Sequence, residues 1–235
     1  MNPSQQRVIR RGGGERSQEH SLVPIAPCTS LCLSGATFSG KTKWVYRFLK
    51  HLHGMYVSDP PKKVLYCYGV YQDLFDEMER VIPNLTMHEG LPSSGVLETF
   101  ADGQHGLIVL DDLMQQVLVR PDMELLFTQG CHHRHLSVIF ITQNLYSQGK
   151  CARTIMLNTG YLILFKNVRD ASQLNTLGRQ LFPGRGGLLV DAYRDVMKTP
   201  YGYLVVDMTP QGRDDLRLRT HIFPGEEPLV YVPQL

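Results

Sequence analysis

Short apolar runs alternate with longer amphipathic segments from residue 29 to the end of the chain. The runs are rich in Leu, Ile and Val and are bounded by polar residues, a pattern typical of strands that helices cover on both faces. They predict strands at residues 30–34, 63–68, 106–110, 136–142, 161–165 and 202–206. Strands that alternate with helices in this way predict an α/β three-layer sandwich with a mainly parallel central sheet.

The amphipathic segments predict helices at residues 41–53, 71–81 and 171–182. In the second of these, Leu74, Phe75 and Met78 fall on one helical face. The last segment, RLRTHIFPGEEPLVYVPQL, holds three prolines and predicts extended strands joined by turns.

The chain divides into a predicted flexible tail at residues 1–28 and one domain at residues 29–235. Its first 20 residues hold a Gly-Gly-Gly run, four arginines and few apolar residues, a composition typical of disorder. The 235 residues suffice for one domain with a sizeable core. The sequence has no apolar stretch long enough for a membrane span and no apolar signal core, so we expect an intracellular protein without a membrane partner.

The segment SLCLSGATFSGKTKW contains the pattern G-x-x-x-x-G-K-[ST] between a predicted strand and a predicted helix. Such a loop turns its backbone N–H groups toward phosphates, and the helix N-terminus adds positive potential there. The lysine contacts the β- and γ-phosphates, and the threonine hydroxyl binds Mg²⁺. The sequence therefore predicts binding of ATP and Mg²⁺ by Gly35, Ala36, Thr37, Phe38, Ser39, Gly40, Lys41 and Thr42.

Two acidic residues end the apolar run GLIVLDDLM. Parallel sheets bind their ligands at the carboxyl ends of the strands, so Asp111 is predicted to hold the Mg²⁺ shell together with Thr42. Asp112 is predicted to polarise the attacking water. Glutamate is more usual in that second role, and aspartate has a shorter reach.

Gln143 follows the strand predicted at residues 136–142. An amide there can contact the γ-phosphate or its water, or it can simply end the strand. Trp44 and Tyr46 follow the phosphate loop and could stack on a base, but their helical spacing favours the core.

These segments resemble the packaging ATPases of the FtsK–HerA superfamily. The resemblance rests on GATFSGKT, on the apolar strand that ends in DD and on RHLSVIFITQN, and it is nearest to the packaging ATPases of Polinton/Maverick elements and of large DNA viruses. The downstream segments NTGYLILFKNVRD, LGRQLFPG, PYGYLVVD and RTHIFPGEEPLVYVP share it, so it covers roughly residues 29–234.

The resemblance implies a P-loop NTPase of the additional-strand, RecA/FtsK-like type that moves double-stranded DNA as a homo-oligomeric ring, with a hexamer favoured. Its implied partners are capsid or portal proteins, and its implied location is the host nucleus or cytoplasm, with assembling virions. It also implies Gln143 as the sensor and an arginine that reaches the ATP of a neighbouring subunit. Arg134 is the first candidate, and Arg153, Arg169 and Arg179 remain open.

Two alternatives share the phosphate loop. A P-loop kinase of a nucleoside or small metabolite would need an arginine-rich lid and a substrate-binding acid, whereas the DD pair and Gln143 suit water as the acceptor. A scaffold that binds NTP without hydrolysis is disfavoured by Lys41, Thr42 and Asp111. The formal net charge is only +2, so DNA contacts must come from local patches that assembly brings together.

Overall fold

The computed structural model describes residues 4–8, 21, 23–100, 102–130, 134–146 and 150–233. Within these ranges one sheet of ten strands runs through the molecule. The strands are β1 (Ser4–Val8), β2 (Ser30–Ser34), β3 (Lys63–Tyr68), β4 (Leu85–Glu89), β5 (Gly106–Asp111), β6 (Leu136–Thr142), β7 (Tyr161–Phe165), β8 (Tyr203–Asp207), β9 (Leu218–Thr220) and β10 (Leu229–Pro233). Their order across the sheet is β1-β10-β9-β8-β7-β2-β6-β5-β3-β4.

The sheet has two halves that differ in strand direction. The strands from β7 to β4 are all parallel to one another. The strands β8, β9, β10 and β1 continue the sheet beyond β7 in antiparallel pairs. The strand β6 lies between β2 and β5, so one additional strand separates the phosphate-loop strand from the strand that ends in Asp111.

Helices cover both faces of the sheet. They are α1 (Lys41–Lys50), α2 (Leu52–Met55), α3 (Leu74–Val81), α4 (Ser94–Phe100), α5 (Met114–Val119), α6 (Pro121–Leu125), α7 (Lys150–Leu157), α8 (Ala171–Leu181) and α9 (Gly187–Val196). A π-helical turn at Leu126–Gly130 follows α6, and a 3₁₀ turn at Asp214–Leu216 precedes β9.

Side chains that alternate along each central strand supply two separate cores. Leu31 and Leu33 of β2 pack on the face where α1 buries Phe48. Cys32, which lies between them in sequence, joins the opposite core with Leu174 of α8. This two-sided burial explains why the central strands are apolar throughout rather than alternating, and it confirms the predicted three-layer α/β sandwich with a mainly parallel sheet.

The flexible tail predicted at residues 1–28 is wrong for the part that the structure describes. Ser4–Val8 forms β1 and pairs with β10, whose outer edge would otherwise expose its backbone donors and acceptors. Val23 and Ile25 are buried in the core, and the Ile25 N–H donates to the carbonyl of Met55 at 2.7 Å. The Gly-Gly-Gly run lies outside the described residues.

The other predicted elements are present with small shifts of their ends. The first helix breaks at His51, and the second begins at Leu74 rather than at residue 71. The strand predicted at residues 106–110 extends to include Asp111. Among the described residues, no helix combines the length and apolar character that crossing a bilayer requires.

Candidate active site

The phosphate loop connects β2 to α1. At Gly35 a Cβ would lie 2.5 Å from the Phe165 Cβ, so only glycine allows the loop to pass β7 this closely. Phe38 and Gly40 have φ values of 62° and 102°, which turn the chain back toward the helix. The first helical hydrogen bond runs from the Trp44 N–H to the Gly40 carbonyl at 2.9 Å. The N–H groups at the start of α1 therefore have no acceptor within the helix and can bind an anion.

Lys41 lies inside this loop. Its Nζ donates to the carbonyl oxygens of Gly35 and Ala36 at 2.6 and 2.8 Å. An ammonium group has three N–H donors, so one remains for a phosphate oxygen. Burial lowers the pKa of Lys41, and the nearby charges of Asp111 and Asp112 oppose that shift. The lysine is thus held at the base of the loop by backbone oxygens.

Asp111 is the last residue of β5 and is only 5% exposed. Its Oδ2 accepts hydrogen bonds from the Tyr66 hydroxyl at 2.7 Å and from the Thr42 Oγ1 at 3.2 Å. Burial raises the pKa of Asp111; the two hydroxyl donors and Lys41 counter that effect, while Asp112 adds to it. A buried carboxylate with this set of donors is well placed to receive a cation.

The donor chemistry fits Mg²⁺, which prefers oxygen ligands and bridges carboxylates to phosphates. The Thr42 hydroxyl and the Asp111 carboxylate meet at the start of α1. In the phosphate loop, the buried Ser39 Oγ has no hydrogen-bond partner among the described residues. Both predicted metal ligands are therefore together, as the sequence implied.

Asp112 is exposed and has a φ of 55°. Among residues other than glycine, Asp and Asn enter this left-handed region most readily. The Asp112 backbone packs closely against the residue that follows β3, because a Cβ on Gly69 would lie 2.5 Å from the Asp112 carbonyl oxygen. The backbone conformation thus favours aspartate over glutamate at this position.

Gln143 follows β6 and is exposed at the same edge of the sheet. Because β6 lies between β2 and β5, this residue stands between the phosphate loop and Asp111. Its carbonyl accepts a hydrogen bond from the Asn167 Nδ2 at 3.1 Å, and the same amide donates to Asp170 at 3.0 Å. The Asn167 N–H in turn donates to the Tyr193 hydroxyl at 2.8 Å. The turn after β7 therefore anchors the segment that carries the predicted sensor.

These residues line one cleft of about 610 Å³ at the carboxyl edge of the parallel strands. Residues 37–42 of the phosphate loop form one wall, and Asp111, Asp112 and Gln143 contribute to the rest. Tyr201, which lies in the turn before β8, also lines the cleft beside the loop.

Arg134 lies at the other end of β6. It is exposed and precedes the strand, whereas Gln143 follows it. A strand of this length separates its two ends by roughly 20 Å, so Arg134 does not reach the cleft of its own chain. Of the other candidates, Arg169 is exposed in the turn after β7, and Arg153 and Arg179 are exposed on α7 and α8.

Sequence reasoning missed three residues of this region: Tyr66, Asn167 and Tyr201. No local motif marks Tyr66, whose contact with Asp111 depends on β3 pairing with β5.

Trp44 was correctly assigned to the core, where its ring stacks on Phe48 at 5.3 Å. Tyr46 is only half-buried, and its hydroxyl donates to Glu77 at 2.7 Å.

The strand order and the loop after β2 together define the class of this fold, a P-loop NTPase of the additional-strand type. Comparison with solved structures supports it. The chain is similar to B204, the DNA-packaging ATPase of Sulfolobus turreted icosahedral virus, with a TM-score of 0.54 and 11% identity over 90% of this chain and 100% of that one.

It is also similar to the genome-packaging NTPase B204 of Sulfolobus turreted icosahedral virus 2, solved with ATP-γS. That match has a TM-score of 0.50 and 13% identity over 89% of this chain and 99% of that one. No known family matched the sequence, and no curated protein did. At these identities the similarity establishes the fold.

Proposed function

We propose that this chain is an ATP-hydrolysing motor that translocates double-stranded DNA and packages a viral or virus-like genome into a capsid. One observation carries the proposal: the Thr42 hydroxyl lies 3.2 Å from the buried Asp111 carboxylate, beside a phosphate loop that holds Lys41. This is the constellation that binds a nucleoside triphosphate with its metal.

The residues of the cleft that the sequence singled out have distinct roles in hydrolysis. The N–H groups at the start of α1 and the Lys41 ammonium bind the phosphates, and Thr42 with Asp111 holds Mg²⁺, which neutralises developing charge on the phosphate oxygens. Asp112 accepts a proton from the attacking water, and Gln143 orients that water. The position of β6 between β2 and β5 supports water as the acceptor, because it brings an amide between the phosphates and the acidic pair.

Arg134 acts on the ATP of a neighbouring subunit in a ring, for which we propose six subunits. The support is geometric, because an exposed arginine at the far end of β6 cannot serve the cleft of its own chain. An arginine of the neighbouring subunit places positive charge beside the transition state. Hydrolysis then requires that the ring has assembled.

Packaging as the purpose of the motor has two supports. The solved structures of similar fold are described as viral genome-packaging enzymes. The motifs GATFSGKT and RHLSVIFITQN resemble the packaging ATPases of Polinton/Maverick elements. We therefore propose that the protein acts in the host nucleus or cytoplasm, with assembling virions and capsid or portal proteins as partners.

The first test measures ATP hydrolysis with and without duplex DNA. We expect DNA to raise the rate, and we expect Lys41→Ala to abolish it at every DNA concentration. Lys50→Ala is the matched control, since Lys50 ends the same helix and lies over the Tyr46 ring. Transfer of phosphate to an added nucleoside, without stimulation by DNA, would instead establish the kinase.

The second test mixes two inactive variants. Lys41→Ala lacks the phosphate lysine and Arg134→Ala lacks the trans-acting group, so neither hydrolyses ATP alone. In mixed rings some clefts pair an intact Lys41 with an intact Arg134, and activity should return. Arg134→Ala should still bind ATP, and Arg194→Ala, at an exposed position on α9, should behave as wild type. If Arg134→Ala alone had full activity, Arg134 would not be the trans-acting group, and another arginine would have to act in its place.

The third test is the assembly state. Sedimentation with ATP-γS and duplex DNA should give a hexamer. A monomer under those conditions, with full hydrolytic activity, would exclude the ring.

A further inference from the structure

In the turn before β8, Tyr201 occupies a position whose backbone conformation favours glycine. The Gly202 N–H donates to the Thr199 carbonyl at 3.0 Å, which closes a four-residue turn with Pro200 and Tyr201 in the middle. Proline fixes its own φ near −65°, and Tyr201 has a φ of 57°. This is the type II arrangement, whose third residue is normally glycine because a side chain there is strained.

The strain is not offset by burial, because Tyr201 is 70% exposed. Its ring lies instead over the phosphate loop, where a Cβ on Gly40 would be 3.2 Å from the Tyr201 Cδ1. Gly202 fixes the turn, since a Cβ there would lie 2.3 Å from the Val196 carbonyl oxygen. A strained, exposed aromatic ring held beside a ligand cleft indicates a function for the ring itself.

The topology fixes which end of a bound nucleotide meets this ring. Asp111 and Gln143 follow β5 and β6, on one side of the phosphate-loop strand β2. The strands β7 and β8 lie on the other side, and the pairing of Tyr203 with Phe165 brings the start of β8 to the same sheet edge. A triphosphate whose terminal phosphate lies toward Asp111 therefore extends its nucleoside toward Tyr201.

We propose that the Tyr201 ring stacks on the base of the bound nucleoside triphosphate. The inference rests on the proposed nucleotide site and assigns the part of it that receives the nucleoside. Trp44 cannot serve, because it is 5% exposed and packed against Phe48. Stacking uses the face of a base rather than its hydrogen-bonding edge, so this contact favours large purine rings and does not itself distinguish adenine from guanine.

The test compares ATP-γS with inorganic tripolyphosphate, which lacks the nucleoside, by calorimetric titration in the presence of Mg²⁺. Tyr201→Gly removes the ring and gives the turn the residue that its φ favours, so the fold is retained. We expect ATP-γS to bind Tyr201→Gly roughly tenfold more weakly or worse, while tripolyphosphate binds it as tightly as wild type. Tyr201→Phe keeps the ring and should bind ATP-γS like wild type.

The outcomes separate this inference from the proposed function. If wild type binds both ligands and Tyr201→Gly weakens neither, the stacking role is wrong and the phosphate site stands. Equal weakening of both ligands would overturn it too, because the ring would then act on the loop rather than on the base. Loss of ATP-γS affinity in Phe38→Ala alone would transfer the role to Phe38, which is 95% exposed in the same cleft. Wild type that binds neither ligand would defeat both proposals.

Discussion

Two buried aspartates, one in each half of the sheet, have opposite electrostatic surroundings. Asp207 ends β8 in the antiparallel half, and its Oδ2 lies 3.1 Å from the Nη1 of Arg219, itself 3% exposed. Asp111 ends β5 in the parallel half and is equally buried, but its two hydrogen-bond donors are the neutral hydroxyls of Tyr66 and Thr42. Lys41 bonds to backbone oxygens instead.

The difference separates a structural carboxylate from a functional one. A buried charge is costly unless it is paired. Asp207 has its counter-charge in its own chain. Among the described residues Asp111 forms no such ion pair, and burial raises its pKa; a bound cation would supply the missing charge. The Asp207 carboxylate is thus neutralised by an ion pair within the fold, whereas burying the Asp111 carboxylate costs free energy that a bound cation can offset.

The largest expected effect is the loss of stability when the buried ion pair of Asp207 and Arg219 is broken. Asp207→Ala leaves Arg219 buried without its partner, and breaking such a pair costs about 3–5 kcal/mol of unfolding free energy. For a chain of this length that lowers Tm by roughly 10 °C. Asp214→Ala is the control, because Asp214 pairs with Arg217 at 2.7 Å with a side chain 91% exposed, and exposed pairs contribute little. Equal stability of the two variants in thermal melts would contradict the structural role.

Asp111→Asn should have the opposite consequence for stability. The amide keeps an oxygen for the Tyr66 and Thr42 hydroxyls and removes the unpaired charge, so the Tm of the nucleotide-free protein at pH 7 should rise. Hydrolysis should fall by about 10²–10³-fold, the scale typical of losing one transition-state contact. A lower Tm together with lost activity would mean that Asp111 is structural, like Asp207.

The pH dependence of Tm follows from the raised pKa of Asp111. Between the ordinary aspartate value of about 3.9 and that raised pKa, the folded state binds more protons than the unfolded state. Asp111 therefore destabilises the nucleotide-free fold increasingly as pH rises through this window, and fully above it. The Tm advantage of Asp111→Asn over wild type should grow across the same window. An advantage that does not change with pH would contradict the shift.

The smallest effect is expected for Tyr66→Phe. Loss of one hydroxyl donor removes about 1 kcal/mol of interaction with the Asp111 carboxylate and raises its pKa further. The Mg²⁺ concentration needed for half-maximal hydrolysis should change several-fold, with the fold intact. Tyr71→Phe is the control, because its hydroxyl donates to Asp76 at 2.6 Å on an exposed surface. If wild type and Tyr66→Phe had the same Mg²⁺ dependence, the Tyr66 hydroxyl would have no effect on metal binding.

Much of the site could be predicted because its signals are local. The phosphate loop depends on the spacing of Gly35, Gly40, Lys41 and Thr42, which are neighbours in sequence. Asp111 could be found because it ends an apolar run, and parallel strands bring their carboxyl ends to one edge. Tyr66 and Asn167 could not be found, since their roles depend on which strand lies beside which. The tail prediction failed for Ser4–Val8 because composition does not report an available sheet edge.

The sequence by itself determined the class of fold, the phosphate loop and the acidic strand end, because periodicity and short motifs are properties of consecutive residues. Only the tertiary structure decided that Asp207 forms a buried ion pair, that Asp111 forms none within the described part of the chain, and that Tyr201 lies over Gly40. Those relations join residues far apart in the chain. Strand order and burial create them, and the free energy of a charge or a ring depends on what surrounds it in space.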